Sequence, residues 1–260
     1  MSRRILLFIF CTFLSVAILR ASPPRMGAVV QTTQFDPAKS QLTVNVFNTS
    51  QKDITALSFT VFITHSDGAE VSFSWSTDFV WGIISAAEQG HEVESGASHG
   101  LGAGTSRDLN IPLSPPGVSY RVVVSVVIYA DGTADVVDKG AFKWLVMQRK
   151  GEVLAMQKAN ELLAAALADP NDAHPSVTAE AQLKTLAHAL EADHHKNMDD
   201  PASYEALGFL EAAQDIRNTP KDPAGRSARE DDHLRTLIKV HDNRTSLLLP
   251  HTEVVEGVRP

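Results

Sequence analysis

The hydrophobic period of this 260-residue chain changes once, near Asp138, and that change limits its fold more than any other feature. Before it, apolar residues recur every second position. Leu42, Val44 and Val46 alternate with Thr43 and Asn45, and Leu57, Phe59, Val61 and Ile63 alternate with Ser58, Thr60 and Thr64. Side chains of a strand point to opposite faces in turn, so this pattern predicts half-buried strands. Asp67-Gly68 and Asp131-Gly132 supply hairpin turns, because Asp-Gly tolerates positive φ. Val71, Phe73 and Trp75 continue the return strand and point Trp75 toward the core. Leu109 and Ile111 restart an extended pattern that ends at Pro115-Pro116-Gly117. Tyr120 to Tyr129 is apolar on both faces, which predicts a central strand covered on both sides.

Beyond Asp138 the spacing becomes helical. Phe142, Leu145, Arg149, Val153, Met156, Leu163 and Leu167 lie near one stripe, predicting a long helix from about Gly140 to Ala168. Gly151 is its weak point and Asp169-Pro170 its stop. Further helices are expected from about Ser176 to Lys196, from Asp200-Pro201 onward, and from about Ser227 to Leu249, with a loose tail over 250–260. Many short strands followed by helices exclude a parallel α/β sheet and give an α+β chain. The expected organisation is an antiparallel immunoglobulin-like β-sandwich over 22–137, then a helical region over 138–249. The apolar stripe of the long helix is expected to pack on the later helices, with a partner surface as its alternative use.

The first twenty-one residues carry the expectation of export. Arg3 and Arg4 precede an apolar run from Ile5 to Leu19, and Ala21 offers a small residue for cleavage, although Leu19 stands where a smaller residue is usual. The run is short for a membrane span, and left uncleaved it would serve as an anchor. Cleavage would remove the single cysteine, Cys11. The remaining chain could then hold no disulfide, cysteine nucleophile or thiolate metal site. Loss of Arg3, Arg4 and Arg20 would take the formal charge from −8 to −11. An acidic chain without a dense basic run argues against nucleic acid as a partner.

No motif for chemistry stands out. His188, Glu191 and His195 fall on one predicted helix face, and imidazoles with a carboxylate suit zinc. The two histidines are two turns apart, though, and the plainer reading is a solvated helix end. His91-Glu92 lacks the second histidine of a zinc-protease motif, since Ser95 stands there. Gly100 to Gly104 is glycine-rich but is followed by a predicted strand and no Gly-Lys-Ser/Thr, so it reads as a loop rather than a phosphate cradle. Ser98, His99 and Ser114 sit in no nucleophile turn. Asn48 and Asn243 open N-x-[ST] sequons. Trp81, in the irregular stretch up to Gly104, could stack on a sugar ring or anchor a protein contact, and Trp144 shares those uses. No residue is assigned a catalytic, cofactor-binding or metal-binding role.

The segment VNVFNTSQKDITALSFTV (44–61), the Asp67-Gly68 turn and the late strand VVVSVVIYADGT (122–133) resemble an immunoglobulin-like domain. The whole chain resembles exported bacterial proteins that place helices after such a sandwich. The cysteine pair of antibody domains is missing, and the resemblance carries over no functional residue. Because such folds host many functions, the resemblance does not settle the role. The export signal and the lack of a reaction signature give the expectation of a periplasmic or secreted, non-catalytic interaction or structural module with a protein partner, a glycan-binding module as the alternative, and a metal-binding protein or hydrolase after that. N-terminal sequencing of the protein recovered from outside the cytoplasm should begin after Ala21. A start at Met1 would remove the cleaved-signal expectation.

Overall fold

The computed structural model describes residues 26–82, 84, 100–114, 116–194 and 202–257, with backbone only for 191–194, 202 and 203. It is an α+β structure, with antiparallel and mixed sheets in the N-terminal half and helices after them. The strands are β1 (Ala28–Asp36), β2 (Gln41–Asn48), β3 (Ile54–Thr64), β4 (Glu70–Asp78), β5 (Ser106–Pro112), β6 (Ser119–Tyr129), β7 (Thr133–Val136) and β8 (Val255–Glu256). The first sheet has the order β1-β2-β5 and the second β4-β3-β6-β7-β8. The helices are α1 (Lys139–Ala168), α2 (Pro175–His194), α3 (Ala202–Arg217) and α4 (Ala228–Leu248).

The two sheets share one core. Val44 and Val46 of β2, Ile111 of β5, Phe59 and Val61 of β3 and Val127 of β6 all contribute to it. The alternation in β2 is complete, with every second residue buried from Leu42 to Asn48. Trp75 lies at its margin, half-buried, with its ring 5.9 Å from Phe59. Gly68 and Gly132 both take positive φ, as the two hairpin turns require. The Gly100–Gly104 run is locked rather than free. Ile54 and Leu101 exchange backbone hydrogen bonds of 3.0 and 2.9 Å, and a Cβ on Gly100 would come within 1.8 Å of the Ile54 carbonyl oxygen. Asn48 is fully buried and donates to the Lys52 and Leu101 carbonyls, so its sequon is closed to a glycan in this fold.

The expectation that Tyr120 to Tyr129 is covered throughout on both faces holds for half the strand. From Val124 to Tyr129 every residue is buried, but Ser119 to Val123 alternate between exposed and half-buried. The cause is α1. Its first turns lay Leu145 and Val146 on Ala56, Val126 and Ile128, covering the outer face of β3 and β6 at that end only. Its later turns join α2, α3 and α4 around Ala159, Leu163, Leu183, Phe209 and Leu234. One helix therefore belongs to both layers. Asp138 caps it by accepting a hydrogen bond from the Ala141 amide, and Gly151 does not interrupt it.

The tail also differs from expectation. Residues 251–257 are not loose: β8 pairs in parallel with β7, and the Val255 amide donates to Gly132 O at 2.9 Å. Two things hold it there. Thr252 is buried, and the carbonyl of His251 accepts a hydrogen bond of 3.1 Å from Arg149 Nη1.

Arg149 is the junction of sheet, helix and tail. Its Nε and Nη2 grip Asp78 at 2.6 and 2.9 Å, and Nη2 also reaches Thr55 O and Oγ1 at 3.4 Å. The side chains of Arg149 and Asp78 are 1% and 8% exposed. Arg149→Met should cost about 3–5 kcal/mol in urea denaturation, because it leaves the buried Asp78 carboxylate without its counter-charge, with only the Val80 amide still donating to it. Changing Asp78→Leu as well should recover most of that loss. A single variant as stable as the parent would show that the pair does not hold the layers.

Candidate functional site

The residues singled out by sequence are scattered. His188 is on the exposed side of α2, while the Glu191 side chain and His195 lie outside the described residues. Among the described residues no group of three or more His, Cys, Asp or Glu side chains is placed to hold a metal ion. His91, Glu92, Ser98 and His99 also lie outside them. Trp81 is half-buried and packs with Val80, Ile84, Val153 and Leu248, between the end of β4 and the helices. Trp144 is 37% exposed on α1.

Three features that sequence reasoning did not single out have clear geometry. The first joins α2 to α4. Ser176 donates to Glu230 Oε1 through its amide at 3.0 Å and its hydroxyl at 2.5 Å, and His174 Nδ1 stands 4.0 Å from Glu230 Oε2. These are the residue types of a serine hydrolase, but the hydroxyl donates to a carboxylate and not to an imidazole. Ser176 and Glu230 are fully buried, so neither meets a substrate. The arrangement ties two helix starts together. Ser227 caps α4 through the Glu230 amide, and the Glu230 side chain turns across to α2 instead of back to its own cap.

The second feature is a polar seam where α1, α3 and α4 meet. Asn160 Oδ1 accepts from His241 Nδ1 at 3.0 Å, and its Nδ2 donates to Asp242 at 2.7 Å. Arg244 donates to Asp215 at 3.1 Å and stands 3.5 Å from Glu211. Burial opposes ionisation of Asp215, but His241 and Arg244 beside it hold its carboxyl below the usual aspartate range. One turn from Arg149 lies Glu152, 5% exposed, with Oε2 unpaired and Oε1 accepting from Gln148 at 3.2 Å. Burial pushes it up to about 8; the Gln148 hydrogen bond opposes that shift, Glu211 and Asp78 add to it, and Arg244 offsets a little. It is thus a neutral acid at pH 7. Gly208 permits this crossing, since a Cβ there would come within 2.6 Å of Ala155 Cβ.

The third feature is an open groove of about 780 Å³ on one side of the two sheets. Val29 and Val30 of β1 form one wall and Val122, Val123 and Val124 of β6 the other, with Asp135 of β7 at one end. The Asp135 carboxylate accepts from the Gly27 amide at 2.9 Å and the Tyr129 hydroxyl at 2.7 Å, fixing the start of β1 against β6 and β7. Val29 and Val123, on strands of the two different sheets, are 42% and 43% exposed and face the same groove. The aliphatic walls can bury apolar groups, and the polar side chains of the lining are engaged locally: Thr49 donates to Met26 O, Ser50 donates to Asn48 Oδ1 and Lys52 O, and Asp135 holds Gly27 and Tyr129. Its sequence signal was the three consecutive valines from Val122, which read equally well as a covered strand.

No protein-family model, curated protein or solved structure matches the chain.

Glu152 carries a proton in the folded chain that the unfolded chain releases near 4.5, the ordinary value for a glutamate. Stability from this group is therefore full below pH 4.5, falls as pH rises toward 8, and levels above that. The steepest loss is about 1.4 kcal/mol per pH unit. Glu152→Gln should remove that slope, matching the parent in urea denaturation near pH 5 and exceeding it near pH 8. Parallel pH profiles for the two proteins would show that Glu152 is ionised in the fold.

Proposed function

We propose that this chain is a non-catalytic interaction module that works outside the cytoplasm, with an immunoglobulin-like sandwich as its scaffold. The observation that carries the reading is the aliphatic groove between β1 and β6. A largely aliphatic surface whose few polar side chains, Thr49, Ser50 and Asp135, are engaged in local hydrogen bonds favours binding over turnover.

The scaffold assignment is supported by strand order. Strands β1, β2 and β5 make one sheet, and β4, β3, β6 and β7 follow one another in the second. The chain thus crosses between sheets after β2, β4 and β5, as an immunoglobulin-like sandwich does. The extracytoplasmic setting rests on Arg3, Arg4 and the apolar run to Leu19. The helices support the sandwich through Arg149 and Asp78, which leaves the groove on a rigid frame.

A photo-cross-linking amino acid at Val123, introduced in the native host, should give a discrete protein adduct. The same label at Val71, which is 48% exposed at the other edge of the second sheet, should not give it. Identical adducts at both positions, or none at Val123 in well-expressed protein, would overturn the groove as a binding surface.

A further inference from the structure

We propose that the C-terminal tail is a displaceable strap: Glu253 to Gly257 occupies a docking site for an acidic, extended segment of a partner protein, formed by the edge of β7 and a lysine face of α1. The site is separate from the groove between β1 and β6, and the inference does not depend on that groove.

The tail is held firmly at one end only. A single 3-10 turn over Leu249–His251 leads it off α4. Thr252 is buried and closes that turn, donating to Leu249 O from its amide at 3.1 Å and its hydroxyl at 2.8 Å. Beside it Arg149 grips the His251 carbonyl. Beyond Thr252 the hold is slight. The Val255 and Gly257 amides donate to Gly132 O and Ala134 O at 2.9 and 2.8 Å, in a parallel pairing. Val254 is half-buried against the cluster of Ala134 and Leu145, while Val255 is exposed. Two ion pairs complete the contact, Glu253 with Lys150 at 3.4 Å and Glu256 with Lys139 at 3.9 Å. Both pairs stand in water, where such contacts add little and are screened by salt.

The surface beneath the tail selects its occupant. Lys139 and Lys150 lie about three turns apart on one face of α1, with Lys143 between them in sequence. This basic run belongs to a chain of net charge −8. The strap answers it with a carboxylate at each end and two valines between, running from Glu253 at Lys150 to Glu256 at Lys139, against the direction of α1. A bare anion could meet the lysines but could not donate to the Gly132 and Ala134 carbonyls. An extended backbone does both. The approach is close: a Cβ on Gly132 would lie 3.1 Å from Glu253 O, and one on Gly257 3.2 Å from Ala134 O.

The tail uses only part of the site. It pairs with Thr133 and Ala134, while β7 runs on to Val136. A partner segment that paired further along β7 would gain main-chain hydrogen bonds that β8 does not make. A tethered occupant lowers the apparent affinity of any guest by the fraction of time it is bound, and a lightly held strap keeps that reduction small.

The test opens the site in the full chain. Glu253→Lys with Glu256→Lys sets the tail against Lys150 and Lys139, and these glutamate side chains are 88% and 49% exposed, so the sheets and helices keep their fold. The amides of Val255 and Gly257 should then exchange at least about fivefold faster, with those of β3 and β6 at the parent rate. A free peptide of the sequence 251–257, titrated to millimolar concentration, should shift the amide resonances of Thr133 and Ala134 in this opened chain. It should bind the opened chain at least about threefold more tightly than the parent. Adding Lys139→Glu and Lys150→Glu to the opened chain should return slow exchange to its tail and exclude the acidic peptide. Parent exchange rates in the opened chain would show that the ion pairs do not hold the strap. No shift at Thr133 and Ala134 would remove the docking site. Equal affinity for the opened and parent chains would place the peptide elsewhere and remove the displacement. The cross-link at Val123 reads the groove, so the two proposals fail separately.

Discussion

Arg149 lies 1% exposed where β3, β4, α1 and the C-terminal tail converge, and all three guanidinium nitrogens find acceptors there. Removing such a group from water is costly unless its hydrogen bonds are replaced, and the replacements come from three separate parts of the chain. Asp78 supplies a carboxylate at the end of β4. The bulge at Thr55 interrupts the pairing of β3 with β6. The Thr55 carbonyl there also receives the Phe79 amide at 2.8 Å, which fixes the turn out of β4 beside the ion pair. His251 supplies the third acceptor and brings the tail back so that β8 can join β7. The arginine sets where the long helix sits on the sheet, and everything carried by that helix inherits its position.

Local chemistry was legible in the sequence, and the meetings between distant segments were not. Alternation placed Leu42, Val44 and Val46 in the core because a strand covered on one face has little freedom in its pattern. The two Asp-Gly turns and the extent of α1 were legible for the same reason: each depends on neighbours in the chain. Arg149 was read only as one position on a helical stripe, since nothing local reveals that Asp78 lies seventy-one residues back and within bonding distance. The tail was read as loose because its two-residue strand has no pattern of its own and exists through pairing with β7. Nothing in the sequence singles out Glu152 or Glu230 among the helix acids. Their burial depends on Gly208 and on Ser176, contributed by other helices.

The helical layer is held by polar contacts to an unusual degree because its residues are small. Ala155, Ala159, Ala179, Ala187, Ala212 and Ala213 fill much of the space between the helices, so the axes come close and little apolar surface is buried per residue. Such a layer needs directional contacts to choose one packing. Ser176 with Glu230 fixes the starts of α2 and α4, Arg226 with Asp231 binds the α4 start to the end of α1, and Asn160 with His241 joins their middles. Glu152 fits this arrangement only as a neutral acid. Arg149 is already bonded to Asp78, and Arg244 to Asp215.

The open edge of β6 follows from the same docking. For α1 to start over Val126 and Ile128 and bring Arg149 to Asp78, the chain must leave the sheet immediately after Val136, and Asp138 makes that departure by capping the helix. A longer β7 would carry the chain further along β6 and delay the helix, moving Arg149 out of reach of its partners. The short β7 is therefore the geometric condition for the buried ion pair. Covering one half of β6 on its outer face and leaving the other half, among the described residues, without a hydrogen-bonded strand beyond it are two consequences of one choice. An evolving sequence could blunt the exposed half with a lysine, a proline or a bulge while keeping the helix in place. In this chain those positions are Val122, Val123 and Val124, a residue type enriched in strands.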